Sequence, residues 1–343
     1  MNRRRIKQGH AIMHSLSPSL TRRALLRSVA AAPLLLSGLA RAADDFPSRP
    51  LRLVVPFPAG GSSDALGRVL AAALAKTLGT SVIVENRGGA GGNIAGDYAA
   101  RAAADGYTLL MAGQGILAIN QPLYGHLSYD PAAFEYIGMM GDNANVLLAN
   151  PQTLPVASVA ALVAEARKRP GEIAYGSNGI GSLSHLTAEI FANAAQVKFL
   201  HVPYQGAAPM ATDLRAGRIA FCVTGSTLAV SLSKGGGLRP LAVTTGVRLP
   251  QLPDTPTLVE SGYPALEAPS WWATMAPAHT PAPVLARLRE AFAAATSTPE
   301  YRHALEQQST LPHPMDAAAA GPFLANERKK WATAVQSSGA KAS

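Results

Sequence analysis

Apolar residues fall in short runs along the chain, separated by segments of helical composition. The run "LRLVVPF" (51–57) predicts a buried strand, residues 63–78 predict a helix, and "TSVIVENR" (80–87) predicts a second strand. A glycine-rich turn, "GGAGGN", leads into the alanine-rich segment 94–104, and the strand-like run "GYTLLMAG" follows. Strands separated by helices of this length need crossover connections, so this part of the chain predicts a parallel sheet covered on both faces.

The same alternation begins again after Asn150 and Pro151. A helix is predicted from Ser158, a suitable N-cap, to about Pro170. Helices are also predicted for "SLSHLTAEIFANAA" and "APMATDLRAG", and strands for "EIAYGSNG", "VKFLHVPYQG", "RIAFCVTGS" and "LRPLAVTT". This series ends near Leu266, after which "SWWATMAPAH" predicts one more strand and the remaining residues predict helices.

These two series predict an α/β fold with two units. A chain of 343 residues with 48% apolar content is long enough for about two domains. Since no low-complexity linker separates the series, we interpret the second unit as inserted into the first. Domain 1 would then comprise residues 43–142 and 267–343, and domain 2 would comprise residues 143–266.

Residues 1–42 have the pattern of an export signal. An uncharged stretch of 13 residues follows "TRRALLR" and closes with "ARA", the small-x-small pattern that signal peptidase accepts. That stretch is too short to span a bilayer, which needs about 20 residues. The paired Arg22 and Arg23 predict a twin-arginine signal, and an ordinary signal that happens to hold two arginines is the alternative. Both Met1 and Met13 are possible starts, and cleavage is expected after Ala42 or Ala43.

The leader also explains the charge of the chain. It carries eight basic residues and no acidic one, so it supplies nearly all of the formal net charge of +9. The nearly neutral remainder, in which arginine and lysine are dispersed, argues against a nucleic-acid partner.

The single cysteine, Cys222, lies in an apolar run and is expected to be a buried, inert thiol. We expect a soluble monomer in the periplasm of a Gram-negative cell.

The segment "PFPAGGSSD" lies where a predicted strand meets the start of a predicted helix, the edge at which open α/β sheets bind ligands. Gly60 and Gly61 leave backbone N–H groups uncovered, and the helix dipole favours an anion there. Ser62 adds a hydroxyl. The alternative is structural, because Ser63 or Asp64 could simply cap the helix while the glycines form a tight turn.

The segment "YGSNGIGSLSH" repeats this arrangement of strand, small-residue loop and helix. Two anion-receptive helix ends, one in each unit, suit a small dicarboxylate or another acid held between them. His185 is a candidate donor to the ligand, and a hydrogen bond within the fold is the alternative. Trp271 and Trp272 are expected in the core, and a place in the wall of the cleft is the alternative.

The spacing of the glycines, serines and histidines argues against several enzyme classes. The chain has no G-x-S-x-G elbow, no G-x-G-x-x-G after a strand, and no G-K-[ST] phosphate loop. Its eight histidines form no cluster with metal-ligand spacing, so neither a metal nor a cofactor is expected. Ser177 with His185 is the one nucleophile–base pairing that the sequence offers, so a periplasmic enzyme acting on a small carboxylic acid remains the alternative function.

A series of motifs resembles a known family. "VVPFPAGGSSDALGR", "VENRGGAGGNIAG", "YGSNGIGSLSHLTAEIF" and "HVPYQGAAPMATDLRAG" occur in the order seen in the Bug proteins, the substrate-binding proteins of tripartite tricarboxylate transporters. "LPDTPTLVESGYP" and "SWWATMAPAHTPAPV" continue the match to the final helix. The resemblance implies a type II periplasmic-binding-protein fold that closes on a small acid.

The resemblance also implies a binding site. Carried over by position, the carboxylate contacts fall on Phe57, Ala59, Gly60, Gly61, Ser62 and Asp64, and on Ser177, Ile180, Gly181, Ser182 and His185. The family motif V-P-Y-K-G reads "VPYQG" here, so Tyr204 and Gly206 match while Gln205 replaces the lysine. Thr224 occupies the position where members commonly carry an aspartate, which favours acids without an ammonium group.

The function implied is a solute receptor with no catalytic step. It would capture a small carboxylic acid, a di- or tricarboxylate or similar, in the cleft between its domains. The partner implied is a tripartite tricarboxylate permease, and a role in sensing is the alternative use of the same receptor.

Overall fold

Two mixed β-sheets organise the chain in a computed structural model that describes residues 46–60, 62–234, 237–264 and 266–342. The predicted export signal, its cleavage site and Gly61 lie outside these residues. The strands are β1 (Leu51–Val55), β2 (Val82–Asn86), β3 (Thr108–Gly113), β4 (Phe134–Asn143), β5 (Asn145–Ala149), β6 (Ala174–Ser177), β7 (Leu200–Pro203), β8 (Phe221–Gly225), β9 (Arg239–Val243), β10 (Ser270–Pro277) and β11 (Thr310–Leu311).

Helices connect most of these strands. They are α1 (Ser62–Leu78), α2 (Asn93–Ala100), α3 (Asn120–Tyr124), α4 (Val159–Lys168), α5 (Leu183–Ala195), α6 (Ala207–Arg215), α7 (Ser226–Lys234), α8 (Ala282–Thr296), α9 (Pro299–Gln307) and α10 (Ala317–Ser338). A 3₁₀ turn, Ala90–Gly92, precedes α2, and a π-helical turn, Gly115–Ile119, precedes α3. The predicted strands and helices are confirmed to within a few residues, including the start of α4, where the Ser158 hydroxyl accepts from Ala161 N–H.

The prediction of a parallel sheet is wrong in part, because each sheet contains antiparallel strands. The first sheet has the order β11-β4-β10-β3-β1-β2, and the second has the order β7-β6-β8-β5-β9. Strands β1, β2 and β3 are parallel, but β10 inserts between β3 and β4 and runs antiparallel to both. In the second sheet, β5 runs antiparallel to β8 and β9 in the same way.

The direction of these two strands follows from the path of the chain. β4 continues into β5 through the single buried residue Ala144, so β5 enters the second sheet from the first. β10 makes the return crossing after β9. β5 therefore enters the second sheet at the end that faces the first sheet, and β10 enters the first sheet at the end that faces the second. The two crossings are tied together, since Asn145 N–H donates to the Thr244 hydroxyl and Thr244 N–H donates to the Asn145 carbonyl, both at 2.9 Å.

Helices cover both faces of the two sheets. Strand β1, which lies between β2 and β3, is buried at Leu53, Val54 and Val55, and each such side chain contributes about 1.5–3 kcal/mol relative to exposure. The second sheet lies between two apolar clusters, one built with α4 and α5 and the other with α6 and α7. Cys222 is fully buried in β8, as predicted, and burial raises the pKa of its thiol to about 12.

The elements of the two sheets also meet through apolar side chains of their helices. An apolar cluster joins the segment before and within α3, the helix α5 and the C-terminal helix α10. We call it the bridging cluster; its members include Ile119, Leu123, Leu186, Trp331, Val335 and Ala340. Within the part of the chain that the structure describes, no helix is both long and apolar enough to cross a membrane.

Candidate functional site

A cavity of about 490 Å³ lies between the loops that follow strands of the two sheets. Pro56 and Phe57 follow β1, Gln114 and Gly115 follow β3, and the loop 178–182 follows β6. The full lining comprises Pro56, Phe57, Gly91, Gly113, Gln114, Gly115, Ile116, Ile119, Asn120, Leu123, Tyr124, Asn178, Ile180, Gly181, Ser182, Leu183, Ser270 and Trp272. This is the edge at which open α/β sheets hold ligands, and the volume suits a small molecule.

Aromatic and aliphatic side chains form one wall of the cavity. The Phe57 ring meets the Trp272 ring edge to face, with centroids 5.8 Å apart and an interplanar angle of 88°. Trp271, the preceding residue, points to the other face of β10 and is buried in the core. Trp271 therefore lies in the core as expected, and Trp272 takes the alternative place in the cavity wall, because consecutive strand residues face opposite sides of a sheet.

Gln114 and Asn120, two polar residues of the lining, are held by hydrogen bonds to neighbouring segments. The Gln114 amide donates to the Pro269 carbonyl, and its oxygen accepts from Trp271 N–H at 3.2 Å. Asn120 Nδ2 donates to the Gly91 carbonyl at 3.0 Å and to Asn93 Oδ1 at 2.7 Å. These bonds fix the loop after β3 and the start of α3, so this side of the cavity is built from oriented amides.

The cavity lining carries no charged side chain among the described residues. An anion in this cavity would rely on neutral donors, on backbone N–H groups and on helix N-termini. Helix α5 supplies such an end, since Leu183 and Ser184 open the helix and their N–H groups have no partner within it. The dipole of the helix favours negative charge at the same place.

The loop from Asn178 to Ser182 is held by short-range bonds. The Ser182 hydroxyl accepts from His185 N–H at 3.3 Å and donates to the Gly179 carbonyl at 2.6 Å. Gly181 N–H donates to Nδ1 of His185 at 3.1 Å. His185 is thus buried behind the loop as an acceptor for its backbone, the structural role that the sequence left open.

Ser177 is fully buried at the end of β6. Its hydroxyl lies 2.7 Å from Nε2 of His201, and its oxygen accepts from Gly179 N–H at 3.2 Å. The serine that the sequence paired with His185 is therefore paired with His201, and it has no exposed surface from which to attack a substrate.

The loop after β1 is organised around Asp64. This carboxylate accepts from Arg68 and from Gly60 N–H, both at 2.9 Å, and from the Asn86 amide at 3.0 Å. The Arg68 guanidinium, then the Gly60 N–H and the Asn86 amide, lower the pKa of Asp64 to about 2. Asp64 therefore fastens the loop to α1 and β2. Ala59 and Gly60 are exposed and do not line the cavity, and the side chain of Ser62 is outside the description.

The other predicted contacts lie apart from the lining described here. The Tyr204 hydroxyl donates to Asp213 at 2.9 Å, and Gly206 caps α6 with φ +103°. Thr224 is buried in β8, where it pairs with Val146. Of the predicted contacts, Phe57, Ile180, Gly181 and Ser182 come together around the cavity.

Sequence reasoning missed the contribution of the loop after β3. Gln114, Gly115 and Asn120 line the cavity although no motif marked them. The signal that could have found them is positional, because "GQG" follows a buried strand just as "PFPAGG" does. No group of three or more histidine, cysteine, aspartate or glutamate side chains suited to a metal ion occurs among the described residues.

Comparisons with known proteins agree with this architecture. Protein BugT of Bordetella pertussis is 36% identical over 301 residues, which cover 87% of this chain and 92% of BugT. The structure of R. palustris Rpa4515 with adipate is 36% identical, with a TM-score of 0.73 over 86% of this chain and 99% of that one. MatC from Rhodopseudomonas palustris with bound malate is 28% identical, with a TM-score of 0.70 over 84% of this chain and all of MatC (100%).

The type II periplasmic-binding-protein fold predicted from the motifs is confirmed by these structures. The family described as "Tripartite tricarboxylate transporter family receptor" matches residues 66–340. That family consists of solute receptors rather than enzymes, which decides against the enzymatic alternative. The chain therefore belongs to the tripartite tricarboxylate transporter receptors, the family of periplasmic solute-binding proteins that the Bug motifs indicated.

Proposed function

We propose that this receptor captures a small carboxylic acid, a di- or tricarboxylate or similar, in the cavity between its two sheets. The observation that carries the proposal is the lining: oriented amides, hydroxyls and the N-terminus of α5, with no charged side chain among the described residues. Such a lining has no carboxylate to repel an acid. The relatives with adipate and with malate support the same class of ligand.

In this proposal Phe57, Ile180, Gly181 and Ser182 contact the ligand directly. Gly60 and Asp64 support the loop after β1, and Ser177 and His185 support the loop after β6. The remaining predicted residues are kept as candidate contacts of the ligand, namely Ala59, Gly61, Ser62, Tyr204, Gly206 and Thr224. One helix N-terminus favours an anion by about 0.3–1 kcal/mol, so most of the affinity comes from hydrogen bonds to the neutral donors of the lining.

The wider role follows from the leader and the family. Residues 1–42 would direct export, by the twin-arginine route, and the mature chain would act in the periplasm as a monomer without a nucleic-acid partner. Residues 43–142 with 267–343 and residues 143–266 would form two domains that close on the acid. The closed form would deliver its ligand to a tripartite tricarboxylate permease or report it to a sensor.

Calorimetric titration of the purified chain with adipate, malate and the uncharged adipamide tests the ligand class. We expect saturable binding of at least one acid and none of the amide. Asn178→Asp places a negative charge in the cavity and should weaken acid binding about tenfold or more. Asn193→Asp makes the same change at an exposed position on the far end of α5 and should leave the affinity unchanged. Equal binding of the acid by both variants, or no binding of either acid by the wild type, would contradict the proposal.

A further inference from the structure

Three stacked rings lie directly beneath the cavity loop 178–182. Tyr175 on β6 and His201 on β7 are direct neighbours in the parallel ladder, and their rings stack with centroids 4.9 Å apart. On its other face His201 stacks against His185 of α5, at 3.9 Å and an interplanar angle of 5°. His201 is thus held between a strand of the second sheet and the helix whose N-terminus lines the cavity.

Both histidines are connected to the loop. His201 Nε2 lies 2.7 Å from the Ser177 hydroxyl, which is 3.2 Å from both the N–H and the carbonyl of Gly179. His185 Nδ1 accepts from Gly181 N–H at 3.1 Å. An accepting Nδ1 carries no proton, so this arrangement requires a neutral His185 ring with its proton on Nε2. Ionisation would replace the acceptor with a second donor facing Gly181 N–H.

The surroundings of the pair favour the neutral form. Burial lowers the pKa of His185 to about 4, and the adjacent His201 ring adds to the shift. Burial also lowers the pKa of His201. The titratable groups that face the pair are Glu189, whose Oε1 is 3.9 Å from His185 Nε2, and Tyr175, which donates to the same carboxylate oxygen at 2.7 Å. The side chains that α3 and α10 bring to α5 in the bridging cluster, Leu123, Trp331 and Val335, are apolar.

We propose that His201 and His185 are positioning residues for the ligand cavity, which hold Gly179 and Gly181 in the binding geometry, and that His185 does so only while its ring is neutral. Affinity for the acid would then fall as the medium becomes acidic, beyond any effect of the ligand's own titration. This inference rests on the proposed function for its consequence in binding, but the coupling of the two rings to the loop is a property of the ligand-free protein.

Two isosteric variants distinguish the effect of the hydrogen bonds made by the two rings from the effect of the charge that the rings can acquire. Asn in place of His185 puts an amide oxygen near the position of Nδ1, and Gln in place of His201 puts an amide near the position of Nε2. Neither amide titrates. His185→Leu and His201→Leu remove the hydrogen bonds and should weaken adipate binding about tenfold, the equivalent of one such bond. His185→Asn and His201→Gln should restore most of that loss, whereas a role in packing alone would be served equally well by leucine.

The first measurement needs no ligand. In NMR spectra recorded from pH 7 to pH 4, the ring signals of His185 and His201 should titrate below the ordinary range of a histidine, because burial lowers the pKa of both rings. The amide signals of Gly179 and Gly181 should move with the same midpoint. These movements should be lost in the double variant His185→Asn/His201→Gln and kept in the control His303→Gln. If the amide signals of Gly179 and Gly181 do not move as the rings titrate, the proposed coupling between the rings and the loop is overturned.

The second measurement follows adipate affinity over the same pH range. Wild type should lose about threefold more affinity than the double isosteric variant between pH 7 and pH 4. Identical pH dependence in the two proteins would overturn the effect on binding. Wild-type protein that fails to bind adipate at pH 7 would count against adipate as the ligand, and the ligand-free spectra would still decide the positioning role.

Discussion

At the scale of the residue, Gly181 is the point where the cavity and the bridging cluster meet. Its φ of +73° lies in the left-handed region, which glycine adopts without strain. A Cβ at this position would lie 2.6 Å from Cδ2 and 2.7 Å from Cδ1 of Leu123, a residue that itself lines the cavity. Glycine is therefore required here both by the backbone conformation and by the close approach of the Leu123 side chain.

Gly181→Ala should weaken acid binding about tenfold, because the clash with Leu123 opposes the arrangement in which both sides contact the ligand. The matched control is Gly171→Ala, where φ is +77° but no atom lies within 4 Å of the new Cβ. Both variants should lose about 1 kcal/mol of unfolding free energy to backbone strain. Calorimetric titration and urea unfolding check the two effects. If the two variants bind the acid equally well, the contact with Leu123 has no part in binding.

For two single residues, Asp64 and His201, the sequence did not establish the role that the structure shows. The sequence identified Asp64 as either a cap or a ligand neighbour, and only the structure shows its bonds to Gly60, Arg68 and Asn86. His201 was not identified at all. It lies 24 positions from Ser177 and becomes its partner because β7 pairs beside β6, a contact that local pattern does not encode.

At the scale of the element, the C-terminal helix α10 is fixed by a buried carboxylate. Glu327, only 3% exposed, accepts from the indole N–H of Trp271 on β10 at 2.6 Å and from that of Trp331 at 2.9 Å. It also forms an ion pair with Lys330. Since Trp331 belongs to the bridging cluster, this carboxylate attaches the first sheet to the helix that packs against α5.

Glu327→Leu should lower the free energy of unfolding by about 3 kcal/mol, because it leaves two buried indole N–H groups without an acceptor. Glu290→Leu on α8 is the control, since that side chain is 75% exposed and pairs with Arg287 at the surface. Its effect should stay within about 0.5 kcal/mol. Urea unfolding measures both, and similar losses in the two variants would show that the indole bonds contribute little.

Elements with a regular pattern were predicted, including the crossing strand β10, whereas β4 and the crossing strand β5 were not. The sequence "FEYIGMMGDNANVLLAN" holds β4 and β5, but its glycines and its Gly-Asp-Asn step are typical of a turn. Tertiary packing overrides that local preference. Gly138 lies in β4 under the ring of Phe292, where a Cβ would be 2.2 Å from the ring, so the helix α8 can pack closely on the sheet.

At the scale of the whole molecule, the bridging cluster joins elements of the two sheets beside the cavity. Ala340 is buried in this cluster, and Ala342 N–H donates to the Leu123 carbonyl at 3.1 Å. The last described residues therefore contact the segment that lines the cavity.

Under the domain closure proposed above, Ala340→Asp should favour an open form, because closure would bury its charge in the cluster. We expect a larger radius of gyration in small-angle scattering of the ligand-bound protein and an affinity for the acid about tenfold weaker. Lys341→Asp is the control, since it places a carboxylate on the adjacent, exposed residue. An equal change in both variants, or in neither, would show that the end of the chain does not stabilise closure.

The sequence by itself determined the family, the α/β class, most helices and strands, and the two glycine-serine loops that follow β1 and β6. These features depend on local composition and on ordered motifs, which are readable along the chain. The tertiary structure decided the antiparallel crossing strands, the third loop at the cavity, the place of Trp272 and the pairing of Ser177 with His201. Each of these depends on which distant segments pack within a few ångströms of each other, and that is set by sheet order and burial rather than by neighbours in sequence.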